Sequence, residues 1–194
     1  MTTIHRRFAL AAGLAAVLAL AGCGKQEAAA PAAASAAPPA ARVLVVGTDA
    51  AYTPFESQNE KGEIVGFDID IVNAVAKKAG IEVKFVNTPW EGIFNTLDQG
   101  DRDFLVSAIT ITPERRQTMD FSQPYFDAHQ LIAIKSDAAV TRFEDLKTLK
   151  VGVQNGTTGD EVVGKLLGKS SANIKRFEST PLALKELEAG GVQA

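Results

Sequence analysis

Hydrophobic residues follow three different patterns along this chain of 194 residues. An unbroken apolar run covers residues 8–21, and residues 24–41 are mostly alanine and proline. From residue 42 onward, short apolar runs alternate with segments in which apolar residues recur at helical spacing. Strands that alternate with helices in this way predict an α/β fold with mainly parallel sheets.

Residues 42–128 contain a first series of predicted elements. The strands are the short apolar or alternating runs at residues 43–47, 82–86 and 104–106. The helices are residues 69–79, a helix that begins at Thr88 and stops at Gly100, and a short one that begins at Thr112-Pro113-Glu114. Asp68 is the predicted N-cap of the first helix, and Thr88-Pro89-Trp90-Glu91 forms a capping box for the second.

Residues 129–194 contain a second series. Its predicted strands are residues 130–134, 150–153 and 174–177. Its predicted helices are one turn at 143–146, a helix at 158–167 with the capping box Thr158-x-x-Glu161, and one from Thr180-Pro181 to Gly190. After Gly190-Gly191 the alternation predicts a further buried strand. We therefore expect two α/β lobes, residues 42–128 and 129–194, with the second incomplete at the C-terminus.

The start of the chain has the order of a secretory signal peptide. His5-Arg6-Arg7 precedes the apolar run, which ends in Leu20-Ala21-Gly22-Cys23. We expect residues 1–22 to be removed and Cys23 to be lipidated with diacylglycerol and an acyl chain such as palmitate. The alternative is a transmembrane helix with an incidental cysteine, but about 14 apolar residues span a bilayer poorly. Residues 23–41 would then be a semi-extended tether between lipid and domain.

Lipidation at Cys23 implies an exported protein on the periplasmic or cell-surface side of a membrane. Because Cys23 is the only cysteine, no internal disulfide is expected. The net charge is −3 with 22% charged residues, which offers no basic surface for nucleic acid. The sequence predicts neither a cofactor nor a metal site.

An anion site is one interpretation of the polar residues around the short helix at Thr112. Arg115 lies in its first turn, where a cation is disfavoured by the helix dipole. Hydroxyl groups of Ser107, Thr110 and Thr112 precede it, and a guanidinium receives a carboxylate through two parallel hydrogen bonds. The alternative is a surface arginine that is paired with a nearby acid.

Other polar loops are open to two interpretations each. Asp49 follows the first strand, where open α/β sheets bind ligands, but it is also a common turn residue. Tyr52 and Trp90 either pack in the core or stack on a ligand. Gly156-Thr157-Thr158-Gly159 is a polar helix entry that lacks the Gly-Lys-Ser/Thr ending of a Walker motif, so plain capping is the alternative.

A string of motifs, in order, is similar to the polar amino-acid-binding proteins of ABC importers. The motifs are Gly47-Thr48-Asp49-Ala50-Ala51-Tyr52-Thr53-Pro54-Phe55-Glu56, Gly66-Phe67-Asp68-Ile69-Asp70, Trp90-Glu91-Gly92-Ile93, Thr110-Ile111-Thr112-Pro113-Glu114-Arg115, Asp120-Phe121-Ser122-Gln123-Pro124-Tyr125, Val151-Gly152-Val153-Gln154-Asn155-Gly156-Thr157-Thr158 and Ala183-Leu184-Lys185-Glu186-Leu187. From Arg42 to its end the chain resembles solute-binding protein family 3.

This resemblance implies the type II periplasmic-binding-protein fold, in which two lobes close on a ligand around a hinge. Arg115 would then hold the α-carboxylate of an amino acid, helped by the Thr110 hydroxyl and the Thr158 backbone. The backbone carbonyl of Ala108 would meet the α-ammonium.

The resemblance also implies how the ligand side chain is held. Tyr52 and Trp90 would sandwich it, and Asp49 would meet its polar end. Ser107 and Gln154 would also line the cleft.

The resemblance further implies a monomeric, lipid-anchored receptor that hands a polar amino acid to a membrane permease. The family has another strand after the position of Gly190-Gly191, with an aspartate for the α-ammonium, and this chain does not contain it. The alternative function is an enzyme on the same fold, such as a cyclohexadienyl dehydratase or the binding domain of a lytic transglycosylase. We predict a receptor, because no catalytic constellation is evident.

Overall fold

Parallel strands flanked by helices build residues 42–194, the part of the chain that the computed structural model describes. The strands are β1 (Val43–Thr48), β2 (Ala51–Tyr52), β3 (Glu56–Gln58), β4 (Ile64–Val65), β5 (Glu82–Asn87), β6 (Phe104–Leu105), β7 (Val151–Gln154) and β8 (Ile174–Phe177). The helices are α1 (Phe67–Ala79), α2 (Ile93–Asp98), α3 (Thr158–Leu167) and α4 (Thr180–Ala189), with short 3₁₀ helices at Arg115–Gln117 and Phe143–Thr148. The predicted signal peptide and tether, and Cys23 between them, lie outside the described residues.

The first lobe is built around β1. This strand lies between β5 and β6 and is parallel to both, with Val46 opposite Phe85 and Phe104. Val46 is fully buried, and Ile69 from α1 packs against it. The apolar residues of these strands and the helical spacing in α1 therefore place one side of the sheet against the helix.

The segment between β1 and α1 forms a small antiparallel sheet of β2, β3 and β4. No strand was predicted there from the sequence. The sheet contains Glu56, which is 1% exposed. Gly66, with a φ of 137°, is the N-cap residue of α1. The backbone N–H of Asp68, in the first turn of α1, donates to the carbonyl of Phe55.

The second lobe contains the parallel pair β7 and β8, with Val151 opposite Ile174. Its core joins these strands to α3 and to the 3₁₀ helix at Phe143–Thr148, through Leu146 and Val163. Residues 193–194 continue along the free side of β7, because Gln193 N–H donates to Lys150 and Gly152 N–H donates to Ala194.

The predicted strand at residues 130–134 is wrong. The structure has no helix or strand between Phe121 and Lys135, and Leu131 is 90% exposed. An apolar, extended segment becomes a strand only when a neighbour supplies hydrogen bonds, and among the described residues none lies beside it. The proposed lobe boundary between residues 128 and 129 falls in this stretch and stays a prediction.

Three helix caps differ from their predictions, and the short helix predicted from Thr112 is a 3₁₀ turn at Arg115–Gln117. Gly66, not Asp68, caps α1, so Asp68 becomes a helical residue that is fully buried. Gly92 precedes α2, and the expected capping box at Thr88 is replaced by a turn. Thr157 caps α3 by accepting from the Asp160 N–H, one residue before the predicted cap. At α3 the choice lay between two adjacent threonines, which side-chain type alone does not decide. Gly66 and Gly92 cap their helices without a side-chain hydrogen bond, so no polar residue marks these two starts.

The prediction of an α/β fold with mainly parallel sheets is confirmed. The strands β1, β5, β7 and β8 and the helices α3 and α4 lie within about a residue of their predicted ends. Within residues 42–194 no helix is long and apolar enough to cross a membrane.

Candidate functional site

Polar residues gather where the carboxyl ends of parallel strands from the two lobes meet. Asp49 follows β1, Ser107 and Ala108 follow β6, and Gln154 ends β7. Gln154 Nε2 donates to Asp49 Oδ2 at 3.3 Å, so these strand ends are in contact. Open α/β sheets bind ligands at this edge, and the structure therefore brings the predicted residues to a suitable place.

Arg115 reaches across this edge from the 3₁₀ helix at Arg115–Gln117. Its Nη1 donates to the carbonyl of Thr110 at 3.0 Å, and Nη2 lies 3.5 Å from the carbonyl of Gly156 in the other lobe. The guanidinium carbon is 5.5 Å from the ring centre of Trp90 and 5.2 Å from that of Phe94. Two aromatic rings and two carbonyls thus fix the orientation of the cation.

No carboxylate neutralises Arg115 within the described part of the chain. The ion pairs there are Arg42–Asp103, Arg142–Asp145 and Arg176–Asp160. Burial lowers the pKa of Arg115, while the charge of Glu161 raises it. A guanidinium nevertheless stays charged at neutral pH. A half-buried cation without an acid partner is suited to receive an anionic group from outside the protein.

Two hydroxyl groups face each other beside this cation. Thr110 Oγ1 lies 3.3 Å from Thr158 Oγ1, and Gln130 Nε2 donates to Thr158 Oγ1 at 3.0 Å. The predicted anion-site residues Thr110, Arg115 and Thr158 are therefore neighbours in the structure. Thr112 instead accepts from the Arg115 backbone N–H and stabilises the turn.

Asp49 provides a negative charge on the same edge of the sheet. Burial raises the pKa of its carboxyl group, and the hydrogen bond from Gln154 lowers it. Gln154 is itself held by Thr180 Oγ1, which donates to its Oε1 at 3.0 Å, and by the Glu178 carbonyl, which accepts from its Nε2. These contacts hold the Gln154 amide so that it donates to Asp49 Oδ2 and not to Oδ1.

The two predicted aromatic residues differ in their surroundings. Trp90 lines a cleft of about 230 Å³ together with Glu91, Asn155, Arg176, Phe177 and Glu178. Tyr52 is 42% exposed and stacks on Phe55 with ring centres 5.8 Å apart. Trp90 thus contacts the cation Arg115, whereas Tyr52 belongs to a separate aromatic group of the first lobe.

Two buried acids beneath the site were missed by the sequence reasoning. Glu56 Oε1 accepts from Ser107 Oγ at 2.9 Å, and Asp68 Oδ2 accepts from the Ala108 N–H at 2.6 Å. Ala108 has a φ of 45°, which a residue with a side chain rarely adopts. The signal available in the sequence was an acid placed beside aromatic residues, in Phe55-Glu56 and Phe67-Asp68.

The polar side chains of the candidate site do not form a cluster of metal ligands. Within residues 42–194, no three His, Cys, Asp or Glu side chains are arranged to hold a metal ion.

These features define a class, the two-lobed α/β proteins with polar residues at the strand ends between their lobes. Within this class, the chain belongs to the bacterial extracellular solute-binding proteins, family 3, whose family model matches residues 44–185. Its fold is the type II periplasmic-binding-protein fold, with mainly parallel sheets, as predicted.

Two relatives illustrate the similarity. A probable histidine-binding protein of Neisseria gonorrhoeae is 45% identical over 189 residues, which cover 95% of this chain and 69% of that protein. The arginine-, lysine-, histidine-binding protein ArtJ from the thermophilic bacterium Geobacillus stearothermophilus has a TM-score of 0.75 and 46% identity, covering 78% of this chain and 65% of ArtJ. The chain therefore spans about two thirds of the length of these proteins.

A third relative, a second solved structure, bears on the enzyme alternative. The ancestral amino acid-binding protein AncCDT-1, a precursor of cyclohexadienyl dehydratase, has a TM-score of 0.73 and 42% identity, with coverage of 78% of this chain and 67% of that one. This relative is itself described as an amino acid-binding protein.

Proposed function

We propose that this protein captures an L-amino acid between its lobes and delivers it to the permease of an ABC importer. The observation that carries the proposal is the half-buried, unpaired guanidinium of Arg115 among the described residues, held on Trp90 and Phe94 beside two threonine hydroxyls. A ligand α-carboxylate would supply the missing negative charge. The carbonyl of Ala108 would accept from the α-ammonium.

Asp49 narrows the proposed ligand to amino acids with a cationic side chain. Its carboxylate lies at the end of β1, and the Gln154 amide orients it. Similar proteins are named for histidine and for arginine, lysine and histidine. A cationic group would neutralise Asp49, just as the ligand carboxylate neutralises Arg115 at the other end.

Isothermal titration tests the proposal directly. We expect the full-length protein to bind at least one of L-arginine, L-histidine and L-lysine more tightly than L-glutamine or L-glutamate. Equal or tighter binding of L-glutamate would contradict the cationic specificity. An absence of binding with every protein amino acid would contradict amino-acid capture itself.

Replacement of Asp49 by asparagine should weaken cationic ligands selectively. Asparagine keeps an oxygen for Gln154 but loses the charge, and a hydrogen bond to a charged group contributes about 1.5–3 kcal/mol. Affinity for the preferred cationic amino acid should therefore fall by roughly tenfold to 150-fold in titration calorimetry. Binding of L-glutamine should change little.

Asp98→Asn is the matched control, because Asp98 is exposed at the end of α2. If Asp49→Asn and Asp98→Asn have the same affinity for the cationic ligand, Asp49 does not meet the ligand side chain.

We propose a binder rather than an enzyme. Glu56 and Asp68 are 1% and 0% exposed, so neither acid reaches a substrate from its place beneath the site. Asp49, the acid at the strand ends, is engaged by Gln154. Nuclear magnetic resonance of an amino acid incubated with the protein should show it unchanged, and a time-dependent product would favour the enzyme alternative.

We also propose that the protein is a monomeric lipoprotein anchored at Cys23, a residue outside the described range. Several acyl chains on one cysteine, each contributing about 0.8 kcal/mol per buried CH₂, hold a protein on a membrane. Cys23→Ser should abolish membrane attachment in cell fractionation, because it removes the only cysteine. An unmodified Cys23 in the mass spectrum of the mature wild-type N-terminus would contradict lipidation.

A further inference from the structure

Two carboxyl groups lie side by side in the interior of the first lobe. Glu56 comes from β3 and Asp68 from α1, and they are 1% and 0% exposed. Glu56 Oε2 and Asp68 Oδ1 are each buried and receive no hydrogen bond from the described residues. A proton on one of the carboxyl groups would supply a donor for the other.

The same two groups hold the backbone that surrounds the candidate site. Ser107 Oγ accepts from the Asp49 N–H at 3.0 Å and donates to Glu56 Oε1 at 2.9 Å. Asp68 Oδ2 accepts from the Ala108 N–H and so holds that residue at its φ of 45°. Glu56 and Asp68 thus stabilise the turn at Ser107 and Ala108 through these hydrogen bonds.

The polar groups that act on Glu56 in the interior are negative or neutral. They are Asp68 on α1, Asp49 after β1, Ser107 after β6 and Tyr125 in the stretch without secondary structure. None of the ion pairs formed within residues 42–194 includes Glu56 or Asp68. Burial, followed by the charge of Asp68, raises the pKa of Glu56 from its usual 4.5 to about 8. Two buried acids without a cation do not both ionise at neutral pH.

We propose that Glu56 and Asp68 are positioning residues that share one proton and keep the Ser107–Ala108 turn in its ligand-binding geometry, so that loss of this proton weakens binding. The proposal rests on the proposed function, because the Ala108 carbonyl and the Asp49 backbone are taken to surround the ligand. Neither acid contacts the ligand itself.

The direction of the pH dependence follows from the raised pKa of Glu56. Its neutral form is favoured in the folded protein, so the associated stability is complete below pH 4.5 and is lost as pH rises through about 8. Above that pH two negative charges lie together beneath the site. Their repulsion would displace the groups that receive hydrogen bonds from Ser107 and Ala108.

Glu56→Gln reproduces the neutral acid permanently, because the amide oxygen can accept from Ser107 and the amide nitrogen can donate to Asp68. We expect wild type and Glu56→Gln to bind L-arginine within about twofold of each other at about pH 6.5. At about pH 9.5 the wild type should bind about tenfold more weakly than the variant, which corresponds to a ligand-induced pKa change of about one unit. Titration of the ligand's own α-ammonium affects both proteins equally.

A matched control and a second variant keep the test decisive. Glu60→Gln alters an exposed acid just after β3 and should follow the wild-type pH profile. Asp68→Asn keeps an acceptor for Ala108 but removes the neighbouring charge, so the midpoint of the pH effect should move to lower pH. Parallel affinity profiles for wild type and Glu56→Gln between these pH values would overturn the proposal.

A measurement without ligand separates this proposal from the proposed function. The backbone amide signal of Ala108 in a nitrogen-15 spectrum should shift with a midpoint near pH 8 in the wild type and stay constant in Glu56→Gln. An Ala108 signal that does not titrate in the wild type would overturn the shared proton, whatever the protein binds. A titrating signal in a protein that binds no amino acid would contradict the proposed function alone.

Discussion

Replacement of Arg115 by alanine should weaken amino-acid binding more than any other substitution in the site. It would leave a buried ligand carboxylate without its main partner, and truncation of one member of a buried charge pair costs about 2–5 kcal/mol. At about 1.4 kcal/mol per tenfold change, affinity should fall between roughly 30-fold and a few thousand-fold. Titration calorimetry with the preferred amino acid measures this change.

Arg116 provides the matched control for this prediction. It neighbours Arg115 in the same 3₁₀ helix, but it is exposed and its guanidinium carbon lies 5.9 Å from the ring centre of Phe121. Arg116→Ala should therefore change affinity by less than about threefold, as expected for a surface position. Similar losses at the two positions would show that overall positive charge, not a specific guanidinium, attracts the ligand.

Arg115→Lys separates charge from geometry at the same site. Lysine keeps the cation but not the planar fork that now donates to Thr110 and lies against Trp90. We expect its affinity to lie between those of the wild type and the alanine variant. Wild-type affinity for Arg115→Lys would argue against a bidentate contact with the carboxylate.

Local patterns in the sequence were sufficient to predict the parallel strands and most helices. β7 is short and mostly apolar, and β8 has an apolar residue at each end, Ile174 and Phe177. α3 and α4 have apolar residues at helical spacing with a clear stop in Gly168 and Gly190. Such elements depend mainly on their own residues, so a pattern over about ten positions identifies them. Residues 130–134 have a similar pattern but lack a neighbouring strand among the described residues, and pairing is not a local property.

The residues on the surface of the candidate site were predictable from the sequence, but the buried residues beneath it were not. Arg115, Thr110 and Thr158 were proposed from residue type and family resemblance, and the structure places them together. Asp68 was interpreted as an N-cap because a polar residue before an apolar helix usually has that role. The structure instead turns it inward to Ala108, 40 residues further along the chain. A contact between residues so far apart along the chain produces no recognisable spacing pattern in the sequence.

Gly66→Ala should destabilise the protein strongly, because two separate features require glycine there. Its φ of 137° lies in a region that residues with a side chain avoid. A Cβ atom would also lie 2.2 Å from the carbonyl oxygen of Phe55, which is backbone and has no rotamer to change. That carbonyl accepts the Asp68 N–H, so the clash would separate β3 from the start of α1.

We expect Gly66→Ala to lower the free energy of unfolding by about 3–5 kcal/mol, from backbone strain and the loss of adjoining hydrogen bonds. This is a large part of a typical stability of about 5–15 kcal/mol, and urea denaturation measures it as a lower midpoint. Gly62→Ala is the control, since Gly62 has a φ of 77° but no atom within 4 Å of its Cβ position. Strain alone should cost the control about 1 kcal/mol. Equal costs at the two glycines would mean that the close approach of Phe55 adds nothing and that Asp68 is held beneath the site by other contacts.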